Sequence, residues 1–140
     1  MASMTEQEIA RAMTLLEDED LEELEQVQIG KWIITNDNGI YGLYQKKSEA
    51  IEDALCRHSQ TRDHARIKRY GRGSYALEIL DCDEDPIERC YHAFSLNRIT
   101  AGNLLWYKGL AICAMLPDWY FNPYSDHYQE FFRENTNQDS

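Results

Sequence analysis

The first 30 residues place apolar side chains at helical spacing. One stripe recurs every three or four positions and comprises Ile9, Ala12, Met13 and Leu16. Thr5 and Glu8 precede it with the spacing of a capping box, in which hydroxyl and carboxylate each bind a free backbone amide. A second, shorter stripe comprises Leu21, Leu24 and Val27 or Gln28. The pattern predicts two helices, the second of which ends at Gly30.

The middle of the chain changes to runs of β-branched and aromatic residues, which favour strands. The paired runs are 32–35 with 40–44, and 65–70 with 74–80. Asn38-Gly39 lies in the first connection and is a strong hairpin signal, because both residues tolerate positive φ. Between the hairpins, Ser48 is predicted to cap a helix with apolar positions Ala50, Ile51, Ala54 and Leu55. The order hairpin, helix, hairpin predicts a small antiparallel sheet over residues 31–80.

The remaining third is predicted to be helical. Asp85-Pro86 favours a helix start, and the helix that follows would carry Ile87, Cys90, Tyr91 and Phe94. Thr100 is predicted to cap an apolar helix over 101–116, which Pro117 ends and which is too short for a bilayer. A last helix over about 124–134 carries Tyr124, Tyr128, Phe131 and Phe132. We therefore predict one α+β domain over 1–140, with helices flanking the sheet and a disordered tail at 135–140.

Charge is distributed unevenly over this predicted domain. The chain has 25 acidic and 14 basic residues, so its net charge is −11, which excludes a globally basic nucleic-acid binder. Its apolar content of 43% argues against a disordered chain. Residues 1–29 carry nine acids and one base, whereas residues 30–75 carry five acids and nine bases. The candidate binding residues follow this division.

The acidic candidates for partner binding lie in the second predicted helix. They are Glu17, Asp18, Glu19, Asp20, Glu22, Glu23 and Glu25. A row of carboxylates can present the charge of nucleic-acid phosphates to a basic groove, with fast and salt-sensitive association. The alternative is a solvated helix face that keeps the protein soluble.

The basic candidates form an alternative phosphate-binding set. They are Arg57, Arg62, Arg66, Lys68, Arg69 and Arg72. Arg66 and Lys68 share one strand face by the period-two rule, and Tyr70 and Tyr75 lie alongside, as in an RNA platform. Alternatively these cations pair with the acidic helices of the same chain.

Aromatic residues are concentrated near the C-terminal end, where seven of the 16 fall within residues 119–132. Aromatic side chains are enriched in binding hot spots, so we add Trp119, Tyr120 and Tyr124 to the partner-binding candidates. Alternatively, these aromatic side chains pack in the hydrophobic core, and those that reach the surface form a homodimer interface.

No catalytic, metal or cofactor site is predicted. The run Asp81–Asp85 fails as a calcium loop, because Pro86 stands where glycine is needed and His92 where a bidentate Glu is needed. The pairs Cys56-Arg57-His58 and Cys90-Tyr91-His92 fall on predicted helices, where positions i and i+2 do not face each other. Four cysteines without a CxxC pair and an N-terminus without a signal segment favour the cytoplasm.

Three functions stay open. The first is a non-enzymatic inhibitor that covers the basic, nucleic-acid-handling surface of a protein partner, as a phage anti-defence protein or a toxin-immunity protein would. The second is a nucleic-acid or nucleotide binder that uses the basic residues within 57–75, although tight binding is not expected at this net charge. The third is a small enzyme with an unrecognised cysteine or carboxylate site.

Overall fold

The computed structural model describes residues 4–80 and 91–138, with side chains through Arg133. The helices in these ranges are α1 (Glu6–Met13), α2 (Asp18–Glu25), α3 (Lys47–Arg57), α4 (Leu104–Met115) and α5 (Asp126–Gln138). The strands are β1 (Trp32–Asn36), β2 (Gly39–Tyr44), β3 (Ala65–Gly71), β4 (Ser74–Leu80) and β5 (Tyr91–Arg98). Short 3₁₀ helices occupy Arg62–His64 and Asp118–Phe121. The protein is an α+β fold, as predicted.

All five strands form one antiparallel sheet in the order β2-β1-β5-β4-β3. The central strand is β5, which pairs with β1 on one side and β4 on the other. The helix predicted through Tyr91 and Phe94 is therefore wrong at these two residues, which lie in β5, and its first residues lie outside the described ranges. Phe94 and Leu96 are buried while Ser95 between them is exposed, which is the alternation of a strand.

The helices cover the two faces of the sheet unequally. On one face, α3 packs Ile51 and Leu55 against Ile34, Leu77 and Leu96. On the other face, residues of α1, α2 and α4 pack with Ile33 of β1, Ile99, and Ile40 and Leu43 of β2. The part of this second face that belongs to β5 leaves Ala93 and Ser95 exposed to solvent. The hydrophobic core is consequently thickest over β1 and β2.

Local sequence signals set most of the turns and helix ends. The capping box of α1 is confirmed, with Thr5 Oγ1 accepting from the Glu8 amide at 3.1 Å. Gly73 lies in the β3–β4 turn at φ +72°, and Gly39 begins β2 directly after the β1–β2 turn at φ +118°, conformations that glycine adopts without a steric penalty. Both hairpins have the predicted strands, and the apolar positions predicted for α3 are all buried.

Several predicted helix limits differ from the structure, among them the end of α2, which lies at Glu25 rather than at Gly30. Lys46, not Ser48, is the residue before α3. α4 begins at Leu104, so the residue before it is Asn103 and not the predicted Thr100, although the Asn103 side chain forms no capping bond with the helix. α5 continues to Gln138, into the segment predicted as a tail. Within the described ranges, no helix combines the length and apolar character needed to cross a membrane.

Candidate functional site

The acidic helix α2 borders an open groove of about 840 Å³. Three elements line it: α2, the edge strand β2 and the last turns of α4. Its lining residues are Asp20, Glu23, Gln26, Val27, Lys31, Ile40, Tyr41, Gly42, Leu43, Ala111, Ala114 and Met115. Leu24 and Val27 are buried and anchor α2 to the core, which leaves the carboxylates of the helix on the outside.

Apolar and acidic side chains both contribute to this groove. Val27, Leu43 and Met115 are among its apolar residues, and Asp20 and Glu23 contribute its carboxylates. The one cation in the lining, on Lys31, donates a hydrogen bond to the Gln26 side chain at 2.9 Å. In the part of the chain that the structure describes, none of the seven carboxylates of residues 17–25 forms an ion pair. The groove therefore combines apolar surface with two carboxylates that form no ion pair and that outnumber the single ammonium group of Lys31.

A polar network holds β2 against α3. The Tyr44 hydroxyl donates to the Asp53 carboxylate, whose Oδ2 lies 3.1 Å from Arg57 Nε. Arg57 Nη1 in turn donates to the Tyr41 carbonyl at 3.2 Å, and the guanidinium lies 4.5 Å from the Tyr41 ring centre. Burial, followed by the hydrogen bond to Asp53, raises the pKa of Tyr44. Arg57, which the sequence grouped with the phosphate-binding residues, thus has an internal structural role.

The basic strand β3 lies at the opposite edge of the sheet from β2. In the strand register, Arg66 of β3 lies opposite Glu78 of β4, which lies opposite the exposed Ala93 of β5. Residues opposite each other share a face, so Arg66 and Lys68 lie on the partly uncovered face of the sheet. Arg66 Nη1 is 3.8 Å from the Glu78 carboxylate, and its guanidinium is 4.0 Å from the ring centre of Tyr91. The ion pair and the cation–π contact of Arg66 are therefore with residues of β4 and β5, not with α2.

The distance between the two edges separates the two charged regions. Four inter-strand spacings lie between β2 and β3, which is about 19 Å. Two exposed charges that far apart are largely screened at physiological salt, because the Debye length is about 8 Å. Arg66 and Lys68 of β3 therefore lie at the sheet edge away from β2, whereas Lys31 and Arg57 lie beside β2, so only part of the charge division along the sequence is kept in space.

The six basic candidates do not converge on one ligand position. By strand alternation, Arg69 lies on the other face from Arg66, and its Nε donates to the Gly71 carbonyl at 3.3 Å. Arg72 lies in the β3–β4 turn and Arg62 in the first 3₁₀ helix. The structure therefore brings together Arg66 and Lys68 alone from this set.

The aromatic candidates form a separate cluster with α5. The rings of Trp119 and Phe131 have centres 5.8 Å apart, and Tyr120 packs both on Phe132 and against the core. Burial, followed by the nearby Glu8 carboxylate of α1, raises the pKa of Tyr120. Tyr124 is 89% exposed. Of the three predicted residues, Tyr124 is the most available to a partner.

Sequence reasoning missed a contact between the two cysteine–histidine pairs. The rings of His58 and His92 stack with centres 4.5 Å apart, because β5 places His92 opposite the end of α3. The helix predicted for 91–94 concealed this contact. Among the described residues, no group of three or more Cys, His, Asp or Glu side chains is arranged to hold a metal. Cys82, Cys90 and the run Asp81–Asp85 lie outside those residues.

No protein family, curated protein or solved structure matches this chain.

Proposed function

We propose that this protein is a non-enzymatic inhibitor that binds the basic, nucleic-acid-handling surface of a protein partner. The observation that carries the proposal is the groove beside α2, where unpaired carboxylates adjoin exposed apolar surface. An anti-defence protein of a phage, or an immunity protein against a toxin, would act by occupying such a surface. The exposed free thiol of Cys56 suits a reducing compartment, and we place the interaction in the cytoplasm.

The two parts of this surface would contribute in different ways. Seven carboxylates within residues 17–25 create a local field that raises the association rate of a basic partner. Charge of this kind acts mainly on the association rate and does little to slow dissociation. The apolar lining of the groove supplies the burial that slows dissociation.

We expect a Glu19, Glu22, Glu23 and Glu25 to Gln variant to bind the partner at least about tenfold more weakly, or about 1.4 kcal/mol. The partner is recovered on the immobilised protein from source-cell lysate, identified by mass spectrometry and purified. Surface plasmon resonance then measures both rate constants at low and high salt. The loss should fall mainly on the association rate and shrink as salt rises. Gln and Glu have similar helix propensity, so circular dichroism should stay unchanged.

The matched control replaces four exposed acids on other helices, namely Glu6, Glu49, Glu52 and Glu130, with Gln. Both variants change the net charge by the same four units, so the control isolates the position of the charges from their sum. Equal binding of the two variants at low salt would reduce the acidic helix to a solvated face. The surface around Trp119 and Tyr124 would then become the better candidate.

A second function is favoured by the uncovered face of β3, β4 and β5. Arg66 and Lys68 lie there with Tyr91 and Tyr70, and the small side chain of Ala93 keeps part of the surface flat. Cations and aromatic rings on an open sheet can hold single-stranded nucleic acid. The Glu78 carboxylate beside Arg66 and the net charge of −11 both oppose it.

We therefore expect the isolated protein not to bind single-stranded RNA or DNA with submicromolar affinity near physiological salt. Fluorescence anisotropy with labelled oligonucleotides measures this directly. The Arg66→Glu, Lys68→Glu variant is the specificity control. Submicromolar binding that this variant loses would make nucleic-acid binding the leading function.

A further inference from the structure

We infer that the groove between α2, β2 and α4 receives a basic amphipathic helix of the partner protein. This inference rests on the proposed function and names the structural element that would enter the site. Three features of the groove support it: the acidic residues, the apolar residues and the interrupted backbone edge of β2.

Charge and apolarity in the groove match the two faces of such a helix. Ile40, Leu43, Ala114 and Met115 are partly or fully exposed and offer apolar surface to the Leu or Ile stripe of an amphipathic helix. Asp20 and Glu23 face the same groove and lie in reach of Lys or Arg side chains beside that stripe. Long basic side chains can lay their methylene groups on apolar surface while the charged end meets a carboxylate.

The edge of β2 argues for a helix over an added strand. Strand addition needs free backbone groups along an edge. The Tyr41 carbonyl already accepts a hydrogen bond from Arg57. The β1–β2 register also shifts between Ile34 and Thr35, and such bulges interrupt regular pairing. Since α2 and α4 form the other walls, the groove resembles a space between packed helices that a further helix would fill.

A second copy of this chain suits the groove poorly. Two molecules of net charge −11 would bring the carboxylates of their α2 helices towards each other. Like charges placed opposite each other across an interface weaken association. Opposite charge on the occupant removes this penalty, which is why we assign a basic partner.

Three synthetic peptides of about 18 residues, each with helical spacing, test the inference. The first carries Leu on one face and Lys on the other, the second carries Gln in place of Leu, and the third carries Glu in place of Lys. Calorimetry should show the Leu/Lys peptide binding at least about tenfold more tightly than either other peptide. Amide chemical shifts should change most at Ala111, Ala114 and Met115.

Ala114→Trp places a large side chain in the groove from an exposed position on α4, and it should weaken binding of the Leu/Lys peptide at least about tenfold. Ala10→Trp makes the same change at an exposed position of α1 and should leave binding unchanged. Thermal unfolding of both variants confirms that each is folded.

The outcomes separate this inference from the proposed function. The inference fails if the Gln/Lys peptide binds as tightly as the Leu/Lys peptide and the Ala114→Trp variant binds both peptides as the parent does. That result would show that the acidic surface binds cationic peptides outside the groove, so the proposed function would still stand. If the Leu/Lys peptide binds no better than the Leu/Glu peptide, the inference fails. If, in addition, the natural partner binds the four-Gln variant like the parent, the proposed function fails as well.

Discussion

Leu96→Ala is expected to lower the free energy of unfolding by about 2–5 kcal/mol. The Leu96 side chain is fully buried in the central strand, paired with Ile34 of β1 and Tyr75 of β4. Shortening it leaves a cavity between sheet and α3 that the rigid neighbours cannot close. Urea denaturation followed by circular dichroism and tryptophan fluorescence measures the loss.

Ser95→Ala provides the control in the neighbouring position of the same strand. Ser95 is exposed on the other face, so its replacement should change stability by no more than about 0.5 kcal/mol. Comparing the stability losses of Leu96→Ala and Ser95→Ala also distinguishes a strand from a helix at these residues. In the helix predicted from the sequence, the buried stripe ran through Tyr91 and Phe94, and Leu96 lay off it. Equal, small effects at Leu96 and Ser95 would contradict β5.

The elements that the sequence predicted correctly are those with signals inside their own segments. The first hairpin has Asn38-Gly39 where its turn meets β2, and α1 has both halves of its capping box. β5 has no such local signal. Its stability comes from pairing with β1, some 60 residues earlier in the chain, as in Ile34 opposite Leu96. Non-local pairing overrode the helical spacing of Tyr91 and Phe94.

The candidate site likewise has a part that the sequence predicts and a part that only the fold assembles. The seven acids of residues 17–25 are adjacent in the sequence, so they could be singled out as a surface. The groove beside them is assembled from α2, β2 and α4, which no local pattern connects. Arg57 shows the opposite case, since the sequence grouped it with the basic candidates, whereas its guanidinium contacts Asp53 and Tyr41 of the same chain.

Gly42→Ala is expected to destabilise the protein by about 1–3 kcal/mol. A Cβ at this position would overlap the ring of Tyr44, which the bond to Asp53 holds over the glycine. Relief requires the ring to move and that bond to break. Gly71→Ala is the matched control, because Gly71 also lies in a strand and has no atom near the added Cβ. Urea denaturation compares the two variants.

A double-mutant cycle then tests whether Tyr44 causes the loss. In a Tyr44→Ala background the ring is absent, so Gly42→Ala should cost less than about 0.5 kcal/mol, and the two substitutions should be strongly non-additive. Additive losses would show that the ring does not lie over Gly42.

Gly42 also lines the groove, so the Gly42→Ala substitution should change the shape of the groove. Movement of Tyr44 frees Asp53 and through it Arg57, which holds the Tyr41 carbonyl at the groove wall. Gly42→Ala should therefore weaken binding of the Leu/Lys peptide, whereas Gly71→Ala should not.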